Sequence, residues 1–198
     1  ININWWGGEP FANFLFCKDI MKRLADTQKV CFMFYTNGTY LKKYKKQLIE
    51  LKGLLGNRLD MPQQSRLHIQ VSFDGEPVNT MERRTKAGES EKLSKTVYAT
   101  YKELKSDGFS IGIKAVISSR NFKYLFDVWK WHYDNGESYG PTPDTHSTDP
   151  DRIDGAVKEE EYMGHLKDLR VNLMKIVKYS IDHDINLENH FRWFRKEK

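Results

Sequence analysis

The chain has 198 residues, with 32 Lys and Arg against 27 Asp and Glu, giving a formal charge of +5. At this length a single core burying roughly 70% of the unfolded surface is attainable, and 39% hydrophobic with 13% aromatic residues exclude an intrinsically disordered chain. No apolar run approaches the roughly 20 residues that cross a bilayer, and two cysteines, Cys17 and Cys31, exclude a disulfide scaffold and any zinc or iron–sulfur site held by three or four cysteines of this chain.

The opening Ile1-Asn2-Ile3-Asn4-Trp5-Trp6 alternates like a strand and has neither the basic nor the apolar region of a signal peptide. It reads as a polypeptide entered partway through a fold, so the expectation is that further residues precede it. Strand Ile3–Trp6 leads through Gly7-Gly8-Glu9-Pro10 to a helix near 13–26. Val30–Tyr35 is a second strand, followed by Thr36-Asn37-Gly38-Thr39 and a helix near 41–55. Leu67–Phe73 is a third strand, whose Leu67, Ile69, Val71 and Phe73 share one face. A polar loop runs from Asp74 to about Ser90, then a helix over 92–105 that Ser106-Asp107-Gly108 stops. Ile111–Ile117 is a fourth strand, Phe122–Asp134 a fourth helix, and Tyr139–Pro143 the end of a short fifth strand. An irregular loop over Asp144–Asp154 precedes a long helix near 158–182 and a basic, aromatic tail, Phe191–Lys196.

Strands separated by helical crossovers pair in parallel, because a parallel neighbour needs a connection of a dozen or more residues. The fold class is therefore α/β, and five such strands suit an open doubly wound sheet or part of a barrel. In both, the turns after the carboxyl ends of the strands build the site. Two adjacent glycines after a strand let a ligand approach the main chain, and amides opening the next helix favour a carboxylate or phosphate. With the Glu9 carboxylate beside them, Gly7 and Gly8 suit a zwitterion such as an amino acid, although a plain tight turn explains the pair equally simply. Asn37-Gly38 is a common turn dipeptide as well as a candidate. Ser72 and Asp74 alternate onto one face at the end of the third strand, where a hydroxyl and a carboxylate suit ribose hydroxyls or an ordinary cap.

The ordered set is more specific than its parts. Gly-Gly-Glu-Pro after one strand, Thr-Asn-Gly-Thr after the next, Ser-Phe-Asp-Gly after the third, an arginine twelve residues beyond that serine, and Ile-Lys-Ala-Val-Ile on the fourth resemble the radical S-adenosylmethionine superfamily. The nearest likeness is to its sulfatase-maturase and peptide-maturase branch, over about residues 1–145. The resemblance implies a partial (βα)6 barrel with parallel strands whose first βα unit is missing, residues 1–155 forming the incomplete core and 156–198 its final helix and the start of an extension. It implies that Gly7, Gly8 and Glu9 grip the amino group of the cofactor's methionine part. Ser72 and Asp74 then lie near its ribose and amino-acid moiety, Arg84 holds its carboxylate, Asn37 lines the pocket, and Val116 borders the adenine.

The family's Cys-x3-Cys-x2-Cys, whose thiolates hold a 4Fe-4S cluster, is absent from this sequence, and Cys17 and Cys31 read as small buried apolar residues. In the family that motif precedes the Gly-Gly-Glu-Pro strand, so the expectation is that the cluster ligands lie upstream of Ile1 and that this chain contributes no metal ligand. For the intact protein the resemblance implies an enzyme in which the cluster reduces S-adenosylmethionine to methionine and a 5′-deoxyadenosyl radical that abstracts hydrogen from a peptide or protein side chain. It implies a flavodoxin or ferredoxin as electron donor and a cytoplasmic location. The chain alone is expected to bind the cofactor weakly and to lack radical activity. Asp144 and His146, after the last short strand, are the candidates for substrate contact or proton acceptance, against a solvated loop. His68, His132, His165, His183 and His190 show no metal spacing and read as core or surface histidines. Lys42-Lys43-Tyr44-Lys45-Lys46 reads most simply as a solvated helix face, with an acidic peptide or nucleic acid as the alternative partner and no nucleic-acid motif beside it. The competing readings are a non-catalytic S-adenosylmethionine or nucleotide-binding module, a radical enzyme acting on a small molecule, and a basic α/β interaction protein.

Overall fold

The computed structural model describes residues 1–75, 90–117, 122–137, 142–143 and 159–187. Its elements are β1 (Asn2–Trp5), α1 (Phe14–Arg23), β2 (Cys31–Thr36), α2 (Leu41–Leu55), β3 (Leu67–Ser72), α3 (Ser90–Ser106), β4 (Ser110–Lys114), β5 (Val116–Ile117), α4 (Leu125–Asp134), β6 (Thr142–Pro143) and α5 (Glu159–Asp182). The chain divides into two compact units, Ile1–Ser72 with Arg84–Ile113, and Phe73–Arg83 with Lys114–Lys198.

In the first unit β1, β2 and β3 pair in parallel, with Asn2 opposite Cys31 and Phe32 opposite Leu67. The strand order β1-β2-β3-β4 leaves an open sheet, with the α/β class and parallel pairing that the crossovers predict. β2 buries Cys31, Phe32, Phe34 and Thr36, the near-continuous pattern of a strand covered on both faces. β3 alternates strictly, burying Leu67, Ile69 and Val71, and Phe73 just beyond it is also buried. Leu41, Tyr44, Leu48, Leu51 and Leu55 place one stripe of α2 in the core. Cys17 and Cys31 are both buried and unbridged, as apolar core residues would be.

The helix expected over about 13–26 is present as α1, starting at Phe14 after a 3-10 turn over Pro10–Asn13 and ending at Arg23, three residues short of the expected end. Pro10 presets the first turn, and the α-helix proper starts at Phe14. The predicted strand 111–117 is divided: β4 belongs to the four-stranded sheet, whereas β5 pairs with β6 in a separate two-stranded sheet, Val116 opposite Thr142. The loop from Asp144 and the tail from Phe191 lie outside the described residues.

At the amino ends of β2 and β3 a single side chain ties the unit together. Arg66 is fully buried, and its guanidinium donates to the carbonyls of Val30 (2.9 Å), Ala25 (2.7 Å), Leu55 (3.0 Å), Leu24 (3.3 Å) and Thr27 (2.8 Å). Those oxygens come from the ends of α1 and α2 and from the turn into β2, where helical carbonyls lack intrahelical donors and carry partial negative charge. The planar fork with five N–H groups matches such a cage as no other side chain can.

The second unit has its own core of Ala115, Leu125, Val128, Trp129 and Ile176, to which Tyr124, Phe126, Leu169, Leu173 and Tyr179 add partly buried surface. Tyr179 meets the Trp129 ring edge-on at 5.8 Å, fixing α5 against α4.

Candidate functional site

Parallel pairing brings the carboxyl ends of β1, β2 and β3 out along one edge of the first unit, because Trp5 sits opposite Phe34 and Thr36 opposite Val71. Three sequence-predicted segments therefore emerge side by side: Gly7-Gly8-Glu9, Thr36-Asn37-Gly38, and Ser72. Gly7 and Gly8 take φ of +92° and +56°, and a Cβ at either would meet nothing within 4 Å. Steric crowding does not demand these glycines. The backbone turn does, and it leaves an exposed stretch of main chain beside the strand end.

Glu9 joins the first two segments. Its Oε1 accepts from Phe11 N (3.0 Å) and from Thr36 Oγ1 (2.7 Å), and its Oε2 accepts from Asn37 N (2.8 Å). Thr36 Oγ1 in turn accepts from Gly38 N at 2.9 Å. The hydroxyl thus donates to a carboxylate and receives from an amide, so its rotor is fixed by both partners. The sequence reading gave Glu9 a charge to offer a ligand's amino group. In the structure both carboxylate oxygens accept hydrogen bonds from the protein, and an amide of the first turn, Phe11 N, is capped by Glu9 itself.

Asn37 forms the turn that its dipeptide predicts, its Oδ1 accepting from Thr39 N at 2.9 Å. Gly38 adopts φ +79°, and a Cβ there would come within 2.7 Å of Val97 Cγ1 and 2.9 Å of Val71 Cγ1. The turn after β2 is thereby seated directly on α3 and β3. Thr36, only 2% exposed, stands in the strand-end segment that the sequence marks, but its side chain was given no role there. A threonine closing a strand immediately before Asn-Gly was the available signal.

In the second unit Asp74 is fully buried, and His132 lies with Nε2 3.2 Å from the Asp74 carbonyl oxygen. That acceptor requires the proton on Nε2. Burial pushes the His132 imidazole down to about 4, against smaller opposing effects of the Asp74 carbonyl and Glu137. Trp131 packs over Gly75 and meets the Phe73 ring at 5.5 Å, so the segment after β3 is fixed by α4. His132 is a core histidine, as its sequence context suggested. Val116 stands in β5. Arg84, Asp144 and His146 lie outside the described residues. Among the described residues no three His, Cys, Asp or Glu side chains come together as a metal site, and the two buried cysteines do not fit an iron–sulfur cluster.

The first unit is thus a parallel α/β sheet with a glycine pair and an Asn-Gly turn side by side at its strand ends. The chain superimposes on solved structures of anSMEcpe, a radical S-adenosylmethionine anaerobic sulfatase-maturating enzyme. Native anSMEcpe with bound AdoMet matches at a TM-score of 0.63 and 18% identity, over 98% of this chain and 49% of that one. The same enzyme with AdoMet and the Cp18Cys peptide matches at 0.64 and 18%, over 98% and 50%. Its complex with AdoMet and the Kp18Cys peptide gives 0.63 and 18%, over 98% and 50%. At that identity the likeness is one of fold, and the chain spans about half the length of the structures it matches. No protein-family model and no curated protein matches the sequence.

Proposed function

We propose that this chain is the S-adenosylmethionine-binding part of a radical S-adenosylmethionine enzyme core. The observation that carries the reading is the Glu9 latch, which holds the exposed Gly7-Gly8 backbone and the Asn37-Gly38 turn side by side at the strand ends. The likeness to folds solved with AdoMet supports it. The open main chain of Gly7 and Gly8 fits the amino group of the methionine moiety, with Asn37 lining the pocket and Ser72 near the ribose. Glu9 acts by aligning those turns. The sequence resemblance further assigns Arg84 to the cofactor's carboxylate, Asp74 to the ribose and Val116 to the adenine. When bound, S-adenosylmethionine supplies an activated sulfonium, and the chain's own residues bind and orient it.

Hydrogen abstraction from a peptide or protein, a flavodoxin or ferredoxin donor and a 4Fe-4S cluster belong in this reading to the whole protein. Residues 1–155 are then its core and 156–198 the final helix and start of an extension, with Asp144 and His146 toward the substrate. Titration calorimetry with S-adenosylmethionine tests the binding role. Weak, saturable binding by the chain, reduced about tenfold or more by Ser72→Ala with Arg84→Ala, a loss of about 1.4 kcal/mol, is the expected result. Binding unchanged in the double variant, or no binding by the parent chain, refutes it.

A further inference from the structure

The charge of this protein is concentrated on one layer of the first unit. α2 and α3 together hold nine lysines, no arginine and three glutamates, a net of +6, more than the +5 of the whole chain. Some of this charge is neutralised locally: Lys45 pairs with Glu103 at 2.9 Å and Asp107 at 3.3 Å, and Lys95 with Glu91 at 2.6 Å. Lys42, Lys43, Lys46 and Lys92 are exposed and form no ion pair among the described residues. Lys43 leans on the Tyr44 and Tyr40 rings at 5.0 and 5.7 Å, and Lys102 on Tyr98 at 5.5 Å. A ring face restrains an ammonium group without cancelling its charge. Between the helices lies an open groove of about 550 Å³ lined by Lys42, Lys92 and Lys95 together with Glu91 and Glu103, the two glutamates being engaged by Lys95 and Lys45, so that Lys42 and Lys92 are its unpaired charges.

We propose that the α2–α3 face is a docking surface for an acidic protein, whose Asp and Glu side chains meet the exposed, unpaired Lys42, Lys43, Lys46 and Lys92. The chemistry favours carboxylates over a nucleic acid. Arginine, whose planar fork suits phosphates and bases, is absent from α2 and α3, and lysine offers single point charges. Of the tyrosines that could stack on bases, Tyr44 is buried, and lysine ammonium groups lie 5.7 and 5.5 Å over the Tyr40 and Tyr98 rings. Complementary charge of this kind steers encounter and depends strongly on salt. The inference is independent of cofactor binding.

Fluorescence anisotropy with a labelled oligoglutamate peptide and a labelled oligothymidylate of equal charge, at low and high salt, tests it. The peptide binds at low salt, binds more tightly than the oligonucleotide, and loses affinity about tenfold or more in Lys42→Glu with Lys46→Glu and Lys92→Glu. The control Lys167→Glu with Lys175→Glu and Lys178→Glu, on α5, keeps most of the affinity. Lys→Gln replacements at the same three α2–α3 positions, with an unchanged circular dichroism spectrum, give a smaller loss in the same direction. An equal loss in the α5 control, tighter binding of the oligonucleotide, or no peptide binding by the parent protein overturns the proposal.

Discussion

Replacing Gly38 with alanine probes how the turn after β2 is built. Two costs arise from separate features. The φ of +79° is disfavoured for any residue with a Cβ, at about 1–2 kcal/mol. The added carbon also enters within 2.7 Å of Val97 Cγ1 and 2.9 Å of Val71 Cγ1, both buried, and overpacking of this kind costs about 1–3 kcal/mol. Together they predict a loss of about 2–5 kcal/mol, read from the urea midpoint at constant slope. Gly53→Ala is the matched control: it lies within α2, a Cβ there meets nothing within 4 Å, and the change stabilises by about 0.5–1 kcal/mol. Combining Gly38→Ala with Val97→Ala recovers part of the steric cost, so the two effects are non-additive by about 1 kcal/mol. If Gly38→Ala matches the parent chain within about 0.5 kcal/mol, the close seating of this turn on α3 is wrong, and the alignment it gives the Asn37 segment fails with it.

Arg66→Met removes the donor to five carbonyls while keeping much of the side-chain volume. A loss of about 3–5 kcal/mol in chemical denaturation is expected, and Arg66→Lys restores only part of it, because an ammonium group has three donors and no fork. A loss below about 1 kcal/mol would show that the cage is incidental. His132 titrates near 4 when folded and near 6.5 when unfolded, so the unfolded chain binds the proton first as the solution acidifies. Its contribution is complete above about pH 6.5 and falls, by up to about 1.4 kcal/mol per pH unit, as pH drops toward about 4. His68, also shifted down by burial, acts in the same sense. Unfolding followed at several pH values in the parent and His132→Gln isolates the His132 part, and parallel pH profiles for the two would contradict it.

The elements were legible where periodicity is strong. The alternation of β3 and the leucine stripe of α2 give both type and burial, because each is covered in the way its pattern requires. Boundaries failed where local geometry intervenes: α1 ends at Arg23, short of the expected residue 26, and one apolar run from Ile111 to Ile117 serves two different sheets, which hydrophobicity alone does not distinguish. At the site, adjacency of the Gly7 and Asn37 segments followed from parallel order. The hydrogen bonds by which Glu9 joins the two turns did not, since a carboxylate that accepts from main-chain and hydroxyl groups looks the same in a sequence as one that does not. Arg66 was invisible for the same reason. All five of its partners are backbone oxygens, and no residue type marks them.

That last property sets what evolution can alter around it. Since the guanidinium reads only the course of the main chain, it makes no demand on the side chains at positions 24, 25, 27, 30 and 55; the exposed Thr27 is open to exchange, Ala25, Val30 and Leu55 are held only by their burial in the core, and position 66 has no substitute with the same reach. Sequence drift at the base of the sheet is therefore limited by packing and not by the guanidinium, and where packing is kept it leaves the scaffold beneath the strand-end turns unmoved.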